Sequence, residues 1–258
     1  MDEIFEFLNQ KADEFNNPKF IESDPIQIPH RFENRQDIEI AGFLAATIAW
    51  GNRKSIVKDA EKMLNFMGNA PYDFIQNFSE KDFKPIENQS VHRTFNAADF
   101  KQFCYNLKKS YETHDSLEDL FLLKNGETDF YNSIERFRAE FLGAAATHRS
   151  AKHVSSTRKG SAAKRLMMFL RWMVRKDKKG VDFGIWRNID QRYLSVPLDV
   201  HSGNIARRLG ILQRKQNDWK AVEEMDKVLR IYKPADPAVY DFALFGLGAI
   251  DGWKLESN

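Results

Sequence analysis

One cysteine, Cys104, stands in 258 residues. That excludes a disulfide framework within the chain, and any zinc or iron–sulfur site built from cysteines alone. A reducing cytoplasm is the expected setting. No run of about 18 apolar residues exists, so no membrane-spanning helix is expected. The opening Met1-Asp2-Glu3 is acidic and lacks the apolar stretch of a secretion signal. Catalytic signatures are missing as well. The six histidines, His30, His92, His114, His148, His153 and His201, make no H-E-x-x-H. Neither G-x-x-x-x-G-K-[ST] nor G-x-G-x-x-G nor G-x-S-x-G occurs, so nucleotide hydrolysis and esterase chemistry have no motif behind them. No cofactor is expected.

What remains is an ordinary globular composition, 42% hydrophobic and 29% charged. The length suits one large domain or two small ones with a sizeable core. The net charge of +2 hides a strong local asymmetry. Eleven basic residues crowd the 33 positions from Thr147 to Lys179, with Asp177 as the one acid, an excess of +10 that leaves −8 for the rest. Such a block is either a solvated face or the footprint of an anionic partner, nucleic acid first among them.

Apolar spacing is helical almost throughout. Ile4, Phe7, Leu8, Ala12 and Phe15 mark a first helix, and Ser23 to Pro29 a loop. The apolar run Ile38 to Trp50, with Asp37 as N-cap, predicts a helix buried on all sides. Further helices are expected over 55–67, 97–111, 116–123, 130–142, 162–174, 200–209, 219–231 and 238–247, and a short one near Trp186. Residues 143–160 are small, polar and basic, and predict a flexible stretch. No series of period-2 strands and no repeat of 20–50 residues is present. The fold class is all-α.

Two segments carry candidate chemistry. In Lys159-Gly160-Ser161-Ala162-Ala163-Lys164-Arg165 a turn of small residues leads into a helix with a lysine in its first turn. Helix starts favour anions, so a cation there conflicts with the local field, a mild pointer to function beside the plainer reading of a lysine that opens an exposed helix. In Val196-Pro197-Leu198-Asp199-Val200-His201 an aspartate stands at a helix start, where it reads either as a cap or as a catalytic carboxylate. His201, Ile205 and Leu209 share one face and predict core positions.

Together these segments resemble the helix-hairpin-helix DNA glycosylases. In that superfamily a turn of the type L-P-G-V-G-x-K leads into a helix, and a later V-D-x-H/V-x-x-R-x-x-R-L-G-L stretch supplies an aspartate. Gly160 to Lys164 keeps the spacing from first glycine to lysine, but Ala162 replaces the second glycine and the leading Leu-Pro is absent. Val196 to His201 is similar to the V-P-V-D-V-H of 8-oxoguanine glycosylases. The separation of 35 residues between Lys164 and Asp199 is nearest the archaeal type. The clear matches cover Gly160 to Gly210, with weaker echoes in Asp37 to Arg53 and Tyr240 to Gly246. The chain also resembles a bacterial protein family whose function is not established.

The resemblance implies a two-lobed helical fold. A central bundle would run from Arg53 to Lys164, residues 1–52 and 165–258 would form the second lobe, and double-stranded DNA would lie at the cleft. It implies removal of a damaged, 8-oxoguanine-like purine with abasic-site lyase action. Lys164 would be the Schiff-base nucleophile and Asp199 the catalytic carboxylate. Arg158, Lys159, Gly160, Ser161, Ala162, Arg165 and His201 would meet the DNA. Trp50, Asn52, Trp172, Phe242 and Phe245 would line a pocket for a flipped base. Two other readings stand beside it: a non-catalytic DNA- or RNA-binding protein on the same scaffold, and a basic module that docks an acidic protein.

Overall fold

The computed structural model describes residues 1–250. It is mostly helical. The α-helices are α1 (Asp2–Phe15), α2 (Lys19–Ser23), α3 (Arg35–Thr47), α4 (Arg53–Phe66), α5 (Pro71–Asn77), α6 (Ala97–Thr113), α7 (Tyr131–Leu142), α8 (Lys164–Val174), α9 (Val200–Arg208), α10 (Trp219–Tyr232) and α11 (Tyr240–Phe245). Among the described residues no helix is long and apolar enough to cross a membrane. A small antiparallel hairpin, β1 (Ser90–His92) with β2 (Phe95–Asn96), is the departure from an all-helical pattern. Strands of three and two residues are too short to show an alternating signature in the sequence.

The chain forms two compact units. One contains residues 1–20, 125–132 and 156–250; the other contains 21–124 and 133–155. Segment 21–52 therefore groups with the bundle, and 156–163 with the terminal segments, where the resemblance sets its borders at Arg53 and Lys164. The reason lies in packing. In the bundle unit α3 is buried from Ile38 to Thr47, as its lack of charge predicts. Phe43 on α3 stacks on Phe103 and meets Phe137 and Phe141 edge-on, at centroid distances of 5.2–5.8 Å. These contacts hold α3 against α6 and α7. The one acid in the buried run, Glu39, is fully satisfied: Tyr111 Oη, Ser116 Oγ and the Leu117 N–H all donate to it, and Arg35 pairs with it. Burying a carboxylate is tolerable only with such a set of donors.

In the other unit α1 packs on α11, with Phe5 edge-on to Tyr240 at 5.2 Å and the Tyr240 hydroxyl donating to Asn9 Oδ1. Helix α8 is buried from Leu166 to Val174.

Several local expectations are corrected. The N-cap of α3 is Asn34, not Asp37, which sits in the first turn. Asp37 instead accepts from the Tyr72 N–H at 2.8 Å and so anchors the start of α5. Residues 116–123 form a tight 3-10 turn, Leu117–Phe121, rather than an α-helix. No helix forms at Trp186. Its N–H donates to Met173 O at 3.0 Å, and Phe183 N–H donates to Trp172 O at 2.8 Å. The segment spends its backbone donors on the open carbonyls at the end of α8 instead of on a helix of its own. Residues 143–160 are not a free loop: two 3-10 turns occupy Gly143–Thr147 and Arg149–His153, and Ser150, Ala151, His153, Val154, Ser156 and Thr157 are buried.

Candidate functional site

Lys164 opens α8 after a turn that is tied down at almost every residue. Gly160 N–H donates to Thr157 O, Ser161 N–H to Ser156 O, and Ala163 N–H to Ser161 Oγ. Ser161 forms an isolated antiparallel bridge with Asp218, and Trp219 N–H donates to Gly160 O at 3.0 Å. Ala163, the residue before the helix, has φ +49°, a left-handed conformation that a residue with a Cβ adopts at some cost. Ala162 and Ala163 are buried under this turn, while Arg158, Lys159 and Gly160 are exposed on it. No side chain caps α8.

Asp199 is the N-cap of α9. Its Oδ1 accepts from the N–H groups of His201 and Ser202 at 2.8 and 3.0 Å, and its own N–H donates to Ser202 Oγ at 2.9 Å. That reciprocal box fixes the side chain. The second oxygen, Oδ2, is not spent on the cap. It lies 4.0 Å from Lys164 Nζ, and both side chains stay partly open to solvent, 26% for the lysine and 22% for the aspartate. The lysine amine also lies 3.6 Å from Met168 Sδ, one turn along α8. Two residues 35 positions apart in the chain are thus paired. One oxygen of Asp199 caps α9, and the other faces the Lys164 amine.

The remaining sequence candidates divide. Arg165 is partly exposed, and burial lowers its guanidinium to about 10. His201 is exposed, not core, and Leu209 is half-buried, because α9 turns Ser202, Gly203, Ile205 and Ala206 inward instead. The His201 ring stands edge-on to half-buried Phe245 at 6.3 Å. Trp172 and Phe242 are packed into the core with no exposed surface. Phe242 lies beneath the Arg171 and Arg175 guanidiniums at 4.5 and 5.3 Å, so its ring is taken up by two cations. Trp50 and Asn52 belong to the bundle unit. There Asn52 caps α4 through the Ser55 N–H, and Trp50 stacks on His153 at 5.8 Å with its carbonyl 2.9 Å from His92 Nε2.

The basic block is less of a surface than its residue count suggests. Arg171 pairs with Asp182 and Asp241, and Arg175 pairs with Asp177, Asp182 and Asp236. Both arginines are buried. Burial alone would push the Arg175 guanidinium down, but the carboxylates of Asp182 and Asp236 outweigh it and hold it above its ordinary value. Arg149 pairs with buried Asp99. The exposed cations nearest Lys164 in sequence are Arg158 and Lys159.

Sequence reasoning missed Asn217, whose amide donates to Asp199 O at 2.8 Å, and Arg207, which donates to Asn217 Oδ1 at 2.5 Å. The available signal was the pair Asn217-Asp218 ahead of an apolar helical pattern, which marks a helix start. Among the described residues no three His, Cys, Asp or Glu side chains gather as a metal cage requires.

Residues 24–250 match a family described as a protein of unknown function, DUF2400. The chain belongs to this family. No curated protein and no solved structure matches it. The matched span contains both Lys164 and Asp199.

Proposed function

We propose that the chain binds double-stranded DNA and acts as a glycosylase and abasic-site lyase on a damaged purine, on a helix-hairpin-helix glycosylase scaffold. The observation that carries the reading is the Lys164–Asp199 pair: an amine and a carboxylate oxygen 4.0 Å apart and reachable from solvent. Neutral Lys164 attacks the deoxyribose C1′, the bond from C1′ to the base breaks, and its electron pair leaves with the base. The proton lost by the amine goes to the departing base. The C1′–O4′ bond then breaks with its electron pair on O4′, which takes a proton from water as the Schiff base forms. Loss of a C2′ proton expels the 3′ phosphate in the lyase step. In this reading Asp199 Oδ2 stabilises the positive charge that develops on the sugar. Exposed Arg158 and Lys159 and Gly160, in the segment that leads into α8, supply phosphate contacts.

The test is borohydride trapping on a panel of duplexes carrying 8-oxoguanine, other oxidised purines and abasic sites. Wild type is expected to give a covalent complex that Lys164→Gln loses while keeping duplex binding. Trapping that persists in Lys164→Gln places the nucleophile elsewhere.

A second reading, a non-catalytic nucleic-acid binder, is favoured by one feature. Helix α8 has no side-chain cap, which suits a phosphate held by backbone N–H groups and Lys164. Binding without trapping on any duplex selects it.

A further inference from the structure

Three consecutive residues, Asn217, Asp218 and Trp219, join the turn ahead of Lys164 to the main chain of Asp199. Trp219 N–H donates to Gly160 O, and Asp218 bridges Ser161, so this strut holds the turn that delivers Lys164. On the other side, Asn217 Nδ2 donates to Asp199 O at 2.8 Å. The same carbonyl accepts from Gly203 N–H at 3.0 Å in the first turn of α9. The strut is itself braced. Asp218 caps α10 through the Ala221 N–H and takes two hydrogen bonds from Arg214, at 2.7 and 2.5 Å. Those bonds lower its carboxyl to about 2. Arg207 fixes the Asn217 amide from α9, donating to Oδ1 at 2.5 Å, and its Nε donates to Arg214 O at 2.7 Å.

The approach of Asn217 to α9 depends on Gly203. A Cβ at that position would stand 2.7 Å from Asn217 Oδ1 and 3.0 Å from Arg207 Nη1. Real Cβ atoms essentially never stand 2.7 Å from another heavy atom, and the neighbours here are already hydrogen-bonded. The amide therefore reaches Asp199 only because position 203 has no side chain.

We propose that Asn217, held by Arg207 and admitted by Gly203, is a positioning residue that keeps Asp199 Oδ2 aimed at Lys164. This rests on the proposed role of the pair. Asn217 touches neither the lysine nor the free carboxylate oxygen in the contacts above. It acts by pinning the Asp199 main chain, so that Oδ1 caps α9 and Oδ2 faces the amine. A clamp that served stability alone would leave the environment of the amine unchanged when weakened.

The experiment measures, on the full chain, the rate at which acetic anhydride acylates Lys164 as a function of pH, read by peptide mass spectrometry, beside borohydride trapping and thermal unfolding. Acylation needs the neutral amine, and a nearby carboxylate favours the charged one. Asp199→Asn is expected to raise the acylation rate of Lys164 at a fixed pH below the curve's midpoint about threefold. Asn217→Ala is expected to move it most of the way to the Asp199→Asn value, and Gly203→Ala to do the same. Asn217→Leu, close in volume and uncharged, has no donor for Asp199 O, so it gives the same change in a chain that folds. Leu229→Val, in the buried face of α10, serves as the stability-matched control and leaves the rate alone. In trapping, the Asn217 variants are expected to slow covalent capture about tenfold while duplex affinity stays within twofold.

If Asp199→Asn raises the acylation rate but no Asn217 variant does, the positioning role is overturned and the pair stands. If Asp199→Asn itself has no effect, the two groups are not coupled and the reading of the site falls together with this one. If acylation responds as expected and nothing traps, the positioning inference holds and the lyase assignment fails.

Discussion

The two ends of α8 carry cations that look alike in the sequence and do opposite things. At the start, Lys164 is partly exposed and faces one carboxylate oxygen at 4.0 Å. At the other end Arg171 and Arg175 are buried and share Asp177, Asp182, Asp236 and Asp241 among them. A guanidinium withdrawn from water needs full compensation, and the four acids are arranged to give it. A lysine left in partial contact with water needs none and stays available. A run of basic residues is therefore not a surface. Its charge must be divided into the part neutralised inside and the part presented outside, and only the second part can meet a phosphate.

The largest effect is expected where the buried end is broken. Arg175→Ala takes the arginine from Asp236 and one partner each from Asp177 and Asp182, and should cost about 3–5 kcal/mol, measured by urea unfolding. A loss below about 1 kcal/mol would show that water reaches these acids and would erase the contrast between the two ends.

A buried acid with fewer partners sharpens the same point. Asp226 accepts from Ser195 Oγ and pairs with Arg230, yet its Oδ1 has no hydrogen-bond partner among the described residues, and burial pushes the carboxyl up to about 6. Because the folded value lies above the ordinary 3.8, folding takes up a proton there. The stability this group contributes is complete below about pH 4 and is lost as pH rises through about 6. The loss is about 1–3 kcal/mol. In Asp226→Asn, unfolding measured between pH 4 and 7 should lose this slope. An unchanged slope would assign the titration to another group.

Effects on stability shrink toward the exposed pair while effects on chemistry grow. Asp199→Ala removes a cap and should cost about 0.5–2 kcal/mol; Asp199→Asn, nearly as good a cap, should cost a few tenths. Both should abolish trapping. If Asp199→Asn traps at the wild-type rate per folded molecule, the residue is a cap and nothing more. Lys164→Gln should change stability by no more than about 0.5 kcal/mol, as expected for a side chain without a buried network.

The smallest change concerns the remaining surface cations. Replacing Arg158 and Lys159 together with Ala should weaken duplex binding for all sequences alike. It should also flatten the logarithmic salt dependence by about 0.9 for each phosphate contact removed. A flat salt response in the wild type would remove phosphate binding from the basic block altogether.

The amino-acid pattern by itself determined the helical class, the all-round burial of α3 and the positions of most helices. These depend on spacing along one segment, and a helix writes its buried face into every third or fourth residue. It also singled out Lys164 and Asp199 by type and position. It did not determine that Asp37 serves α5 rather than its own helix, or that 143–160 is packed. It did not show that Arg171 and Arg175 are interior. Each of these turns on a partner far away in the chain: Tyr72 for Asp37, the acids at 182, 236 and 241 for the arginines. Tertiary structure alone decided which oxygen of Asp199 caps the helix and which faces the lysine. It alone brought Asn217 onto Asp199 through the gap at Gly203. Contacts of that kind leave no period in a sequence, because they join single residues across distant segments and are fixed only when both segments have been placed.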